Sequence, residues 1–298
     1  MTAQLGLGTY RCPDVAEAAL MAASHGADWV DTAPNYEHGR AETSLAEVLA
    51  AYPALRVSTK VGFVPADARD LGLQAGVLAA ADTERGHCLA PNYIAWQLAR
   101  SKRLLGRVPD LVFVHNPEHG CGEADISARL HAAFVALEEA CSHQVISAYG
   151  VATWLGISSG LFDVPMLLDL AAKAGGSNHH LRAVQLPISL VHLAPVAQAL
   201  NGHGPLADAA AAGLEVFASA PLHGGEIPGM VTPELSELIN PGRAPAEVAL
   251  AVVASAPGVK RVLLSTGNPE HWTQAVEAVG RPPLSPDVLR RVVDVLGT

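Results

Sequence analysis

Eight short apolar runs recur along this chain, and segments with helical periodicity lie between them. The runs span 4–9, 28–32, 56–60, 110–115, 145–151, 182–186, 214–219 and 261–265. Most are apolar throughout rather than alternating, which is the pattern of strands covered on both faces of a parallel sheet. The segments between them are alanine-rich. Pro13-Asp14 opens one that ends near Gly26, and others cover 43–51, 125–141, 161–174 and 246–254. Pro91 starts a further one that stops at Gly106, with proline and glycine at the ends that favour them. The stretch 282–298 reads as a closing amphipathic helix through Leu289, Val292, Val293 and Leu296.

Eight strands alternating with helices predict a (β/α)8 TIM barrel. The length of 298 residues fits one such barrel of about 250 residues with insertions. No linker or repeat interrupts it, so 1–298 reads as a single domain. A doubly wound open sheet is the alternative, weakened because no G-x-G-x-x-G follows a strand. The segment 62–90 is too long for an ordinary connection and reads as a lid or substrate loop.

A net charge of −10 with 19 Lys and Arg argues against a partner whose phosphates need clustered cations, so neither nucleic acid nor an anionic membrane is expected. Cys12, Cys88, Cys121 and Cys141 form no C-x-x-C and read as reduced thiols. The first residues show no basic stretch followed by an apolar run, and no apolar run reaches the length of a membrane span. The expected compartment is cytoplasmic.

In such a barrel the chemistry sits at the carboxyl ends of the strands. There the second run carries Asp31 and leads to Tyr36, the third ends in Lys60 and the fourth in His115. Each residue alone has an ordinary structural reading. Together they are coherent: a phenol is a poor acid at neutral pH, an adjacent ammonium favours its ionised form, and a carboxylate holds that ammonium in place. A histidine alongside can orient a carbonyl oxygen. The set can donate a proton to an oxygen that gains negative charge, as carbonyl reduction by hydride requires.

These residues lie in segments that resemble the aldo-keto reductase superfamily. GADWVDTAPNYEHGRAETSLAE at 26–47 is similar to its Asp/Tyr motif, VSTK at 57–60 to its lysine strand, and DLVFVHNPE at 110–118 to its histidine strand. The resemblance implies that Tyr36 is the general acid, that Lys60 tunes it, that Asp31 anchors Lys60 and that His115 orients the substrate. It also implies hydride transfer from NADPH to an aldehyde or ketone.

The cofactor side matches less well. The resemblance places Thr153 and Gln185 on the nicotinamide amide, Pro221, Leu222 and Gly224 in a pyrophosphate loop, and Ser265, Thr266, Asn268 and Gln274 along the adenosine half. Family positions that usually hold Ser, Tyr, Asn, a cation and Asn are here Ala152, Ile188, Ser189, the segment around Gly267, and Ala275. The missing stack and charge-assisted contact are each worth on the order of 1–2 kcal/mol. Three readings remain open on this sequence. One is a reductase using NADPH or NADH on a small-molecule carbonyl. Another is a cofactor-independent lyase, dehydratase or isomerase reusing the same four residues. The last is a non-catalytic barrel. Substrate choice is expected to lie in the loops, and Tyr10, Phe63, Trp154 and His223 are candidates to shape it. His119, Cys121 and Glu123 lie close together, but their spacing fits no zinc pattern.

Overall fold

A computed structural model describes residues 3–297; Met1, Thr2 and Thr298, the outermost residues of the expected domain, fall outside them. Each of the eight apolar runs forms a strand: β1 Gln4–Gly8, β2 Trp29–Asp31, β3 Arg56–Val61, β4 Leu111–His115, β5 Tyr149–Ala152, β6 Leu181–Pro187, β7 Glu215–Ser219 and β8 Val259–Leu264. They follow one another in chain order and close into a barrel. The helices are α1 Val15–Ser24, α2 Ala41–Ala51, α3 Arg69–Gln74, α4 Ala80–Arg85, α5 Pro91–Leu105, α6 Glu123–Ser142, α7 Val164–Gly175, α8 Ala194–Leu200, α9 Pro205–Ala211, α10 Ile227–Met230, α11 Pro233–Ile239, α12 Pro245–Ser255, α13 Pro269–Gly280 and α14 Pro286–Leu296. Among the described residues, no helix is long and apolar enough to cross a membrane.

Local chemistry sets these boundaries. Asp14, Asp163, Asn268 and Ser285 each accept backbone N–H bonds at the start of α1, α7, α13 and α14. Gly106 closes α5 in the left-handed conformation. The fifth strand is shorter than its apolar run. Val145 N–H donates to Ala140 O and completes the end of α6, and Ser147 N–H donates to Pro109 O, so pairing as a strand begins only at Tyr149.

The chain divides into two compact units, Thr9–Arg182 and the remainder. In the first, β2 to β5 pair in parallel, with Asp31 opposite Ser58, Lys60 opposite Phe113 and His115 opposite Ala152. Its core holds Val30, Val57, Phe113, Leu130, Phe134 and Leu137, all fully buried. α6 packs against α5 and α7, and its Phe134 ring meets Tyr149 at 5.1 Å. In the second unit β1 pairs with β8 and β8 with β7, which pairs with β6. Arg261 of β8 is buried there, reaching Gln4 Oε1 at 3.2 Å with its guanidinium 5.9 Å from the Phe217 ring.

The segment 62–90, expected to be a lid or substrate loop, is a folded excursion that carries α3 and α4. Val64 N–H donates to Gly86 O and Cys88 N–H to Gly62 O, both at 2.8 Å, so the two ends are zipped together. Phe63 and His87 pair across this closure, and Val64, Leu78, Cys88 and Tyr93 form a small core inside it.

Removing the largest apolar side chain at the heart of α6 tests the packing. Phe134→Ala is expected to cost about 3–5 kcal/mol, read as a lower urea midpoint at unchanged slope.

Candidate active site

Strand alternation puts Asp31, Ser58, Lys60, Phe113 and His115 on one face of β2, β3 and β4, because paired residues share a face and so do residues two apart. Asp31 and Lys60 are almost completely buried. Lys60 Nζ donates to Asp31 Oδ2 at 2.6 Å and to Thr32 O at 2.8 Å. Ser58 Oγ donates to the other carboxylate oxygen at 2.6 Å and itself accepts from Trp29 Nε1 at 2.9 Å. The carboxylate is therefore held at both oxygens and the ammonium has two acceptors. That satisfaction is what allows a buried ion pair to persist. Ser58 and Trp29 went unassigned in the sequence reading. The signal for Ser58 was available in its i, i+2 relation to Lys60.

Tyr36 lies in a tight turn after β2, where Glu37 and His38 both take left-handed backbone conformations. Such conformations at successive non-glycine residues are costly and must be held by their surroundings. Ser44 Oγ on α2 donates to Glu37 Oε2 at 2.6 Å and helps to hold this one. The turn delivers the Tyr36 ring to 4.8 Å from Lys60 Nζ and edge-on to the His115 ring, centroids 5.9 Å apart. Tyr10 covers Tyr36 from 5.1 Å, and Phe63 meets His115 edge-on at 4.8 Å. The structure thus brings Asp31, Tyr36, Lys60 and His115 together within one compact unit.

Burial pushes the Tyr36 phenol above its ordinary value, and the Lys60 ammonium pulls only part of that back. The phenol is protonated at neutral pH. Burial works against the Lys60 charge, but Asp31 and then Tyr36 outweigh it and leave lysine firmly charged. Burial, reinforced by the Lys60 charge, drives His115 well below its usual range, so its imidazole is neutral. A protonated phenol and a neutral imidazole beside a fixed ammonium can hydrogen-bond one oxygen atom and transfer a proton to it.

The expected cofactor residues divide differently. Thr153, just after β5, spends its hydroxyl locally: it donates to Glu118 Oε1 and accepts from Gly156 N–H, both at 2.8 Å. Glu118 Oε1 also accepts from Trp154 N–H and Leu155 N–H. Glu118 thereby ties the loop after β5 to the end of β4, a role missed in the sequence because two of its three donors are backbone groups.

In the other unit Gln185 on β6 is buried, and its Nε2 has no hydrogen-bond partner among the described residues. An amide donor in that state fits a ligand carbonyl, such as a nicotinamide carboxamide. Pro221, Leu222 and Gly224 follow β7 in a loop where Ala220, His223, Gly224 and Gly225 all have positive φ. Ser265 and Thr266 follow β8. Asn268 has its side chain committed to capping α13, accepting from Glu270 N–H at 2.8 Å. Gln274 is exposed on α13, 3.4 Å from Glu270 Oε1, while Ala275 faces the core. Ile188 and Ser189 are fully buried, and Ser189 Oγ pairs with His192 Nδ1 at 3.1 Å. Gln185 thus offers a group that fits a carboxamide, and 265–271 contains no Lys or Arg.

Residues 2–158 match the model of the Aldo/keto reductase family. No curated protein sequence matches the chain. Similar solved structures include the aldo-keto reductase AKR11C1 from Bacillus halodurans in its holo form, 18% identical over 100% of this chain and 93% of that one, with a TM-score of 0.72. An aldo/keto reductase from Klebsiella pneumoniae in complex with NADP and acetate is 20% identical over 98% and 90%, TM-score 0.66. Another from Klebsiella pneumoniae, in complex with NADPH, is 18% identical over 99% and 95%, TM-score 0.67. At these identities the likeness is one of fold.

Asp31→Asn tests the ion pair directly. It leaves a buried ammonium without its counter-charge, which is expected to cost about 3–5 kcal/mol, measured by chemical denaturation at pH 7.

Proposed function

Because the chain belongs to the aldo/keto reductase family, we propose that it reduces the carbonyl group of a small molecule, with Tyr36 as the proton donor. The observation that carries this reading is the placement of the Tyr36 ring 4.8 Å from Lys60 Nζ and edge-on to His115, where burial favours the neutral phenol and imidazole. His115 donates a hydrogen bond to the substrate oxygen and fixes its direction. Tyr36 donates to the same oxygen and releases its proton as negative charge develops. Lys60, anchored by Asp31, stabilises the phenolate left behind. Tyr10 and Phe63 keep water from these groups by covering Tyr36 and His115.

Bound NADPH or NADH supplies the hydride. Gln185 Nε2 is the group that would hold the carboxamide oxygen. The loops after β7 and β8 are those the family resemblance gives to the phosphates. With no Lys or Arg in 265–271 to meet a 2′-phosphate, a marked preference for NADPH over NADH is not expected. Cys88, Cys121 and Cys141 are free thiols, which supports a reducing compartment such as the cytoplasm.

Oxidation of NADPH and of NADH is followed by absorbance with a panel of aldehydes and ketones. Tyr36→Phe keeps the ring and removes the proton. It is expected to lower turnover by about 10²–10⁴-fold while the protein stays folded. Near-full activity in that variant contradicts the assignment.

The pH profile carries a second expectation. The acid form of Tyr36 is the active one, and its value is shifted upward. Activity in the reductive direction is therefore retained as pH rises past neutrality and is lost only when the phenol deprotonates, above about 10. His115 stays neutral throughout, so no histidine limb appears between about pH 6 and 8. A rate rising through that range with a single histidine-like inflection that vanishes in His115→Gln contradicts the neutral-imidazole assignment.

A further inference from the structure

The His115 imidazole is held in an unusual way. Its Nδ1 is buried without a hydrogen-bond partner among the described residues. The direction of the ring thus depends on packing and on the main chain that carries it. Immediately after it, Asn116 takes a left-handed backbone conformation at φ +47°, a strained state for a non-glycine residue. Asn116 N–H donates to Ala152 O at 2.7 Å, which fixes one side of that peptide. The other side, the carbonyl of His115 itself, receives a hydrogen bond from outside the β4–β5 ladder.

That bond comes from His87, at the returning end of the 62–90 excursion. His87 is fully buried, and its Nε2 lies 2.9 Å from His115 O. A carbonyl only accepts, so Nε2 carries the proton and donates. Burial, helped by Arg129 and His119 and opposed by the His115 carbonyl and Glu118, takes His87 down to about 4, so the neutral donor tautomer holds throughout the working range. The ring packs in a three-ring cluster with Phe63, centroids 5.0 Å apart, and His119, at 5.5 Å. Gly62 lies against it: a Cβ there would sit 2.6 Å from His87 Nε2 and 3.3 Å from His115 O, with φ at +128°. Only glycine leaves room for this joint.

We propose that His87 is a positioning residue for the reaction: its donated hydrogen bond to His115 O sets the orientation of the His115 imidazole and hence that of the substrate carbonyl. The inference rests on the reductase reading for its kinetic consequence, though not for its structural one. It also gives the excursion a role, since the zipped ends at Gly62–Cys88 and Val64–Gly86 hold His87 in place.

The test compares two variants of the full chain with similar side-chain bulk. His87→Met fills the space without a donor, and His87→Gln restores an N–H. Two readouts are taken: steady-state reduction of 4-nitrobenzaldehyde with NADPH, and ¹H–¹⁵N imidazole spectra of ¹⁵N-histidine-labelled protein, with His115 assigned by its loss in His115→Ala. His87→Met is expected to lower kcat by about 10–100-fold, the scale of a misplaced catalytic group, with a smaller change in the KM for NADPH, and to move the His115 ring signals. His87→Gln is expected to bring back most of both. Equal kcat and unchanged His115 signals in the two folded variants overturn the proposal, because packing alone would then account for His87. If the wild type turns over no carbonyl substrate, the reductase reading falls, and the His115 spectra still decide whether His87 positions the ring.

Discussion

The buried ion pair between Lys60 and Asp31 is the constraint on which the rest of the site depends. Two opposite charges taken out of water are costly unless each finds enough partners. Here Asp31 has Ser58 and Lys60 at its two oxygens, and Lys60 has Asp31 and the Thr32 carbonyl. Three consecutive requirements follow. β2 and β3 must be neighbours in the register that sets Asp31 opposite Ser58. The turn after β2 must bring Tyr36 over the ammonium. β4 must end at the level where His115 meets the Tyr36 ring. Burial, reinforced by the Lys60 charge, keeps His115 neutral, and the same charge limits how far burial raises Tyr36.

The surroundings of the pair are built to hold it rigid. Trp29 Nε1 donates to Ser58, so even the group that holds Asp31 is itself held. On the opposite face of β3, Thr59 Oγ1 donates to the buried Glu42 of α2 at 2.6 Å. Glu42 lies 3.9 Å from the Arg100 guanidinium, which also bonds Asp67 in the excursion. Asp67 in turn abuts Gly39, close after Tyr36. The excursion is thus tied to the site at two places, through Asp67 near the tyrosine turn and through His87 behind His115. Preorganisation of this kind lets a few polar groups act without rearranging during the reaction.

Much of this was legible in the sequence, and the reasons are specific. The strands were visible because residues buried on both faces leave continuous apolar runs, as in LVFV of β4 and the closing VLL of β8. The acid–base set was visible because each member ends a strand or opens the following turn. Hidden features depend on contacts that a linear pattern does not encode. The excursion looked like a loop because α3 and α4 are only six residues each and are held by a small core of residues far apart in sequence. His87 and, for the most part, Glu118 escaped notice because they bond to backbone groups, which carry no sequence signature. The cofactor side was harder still. Asn268 and Thr153 retain hydrogen-bonding side chains, yet one caps a helix and the other closes a turn.

The claim that Lys60 governs the protonation of Tyr36 is tested most directly by titrating the phenol itself. Tyrosinate absorbance is recorded against pH for the wild type and for Tyr36→Phe, and the difference isolates Tyr36; the same pair of curves is then taken in a Lys60→Met background. The account predicts a wild-type phenol that ionises above 10, and one that moves higher still when the ammonium is gone. A phenolate already present at neutral pH, or a curve that does not move on losing Lys60, would contradict it.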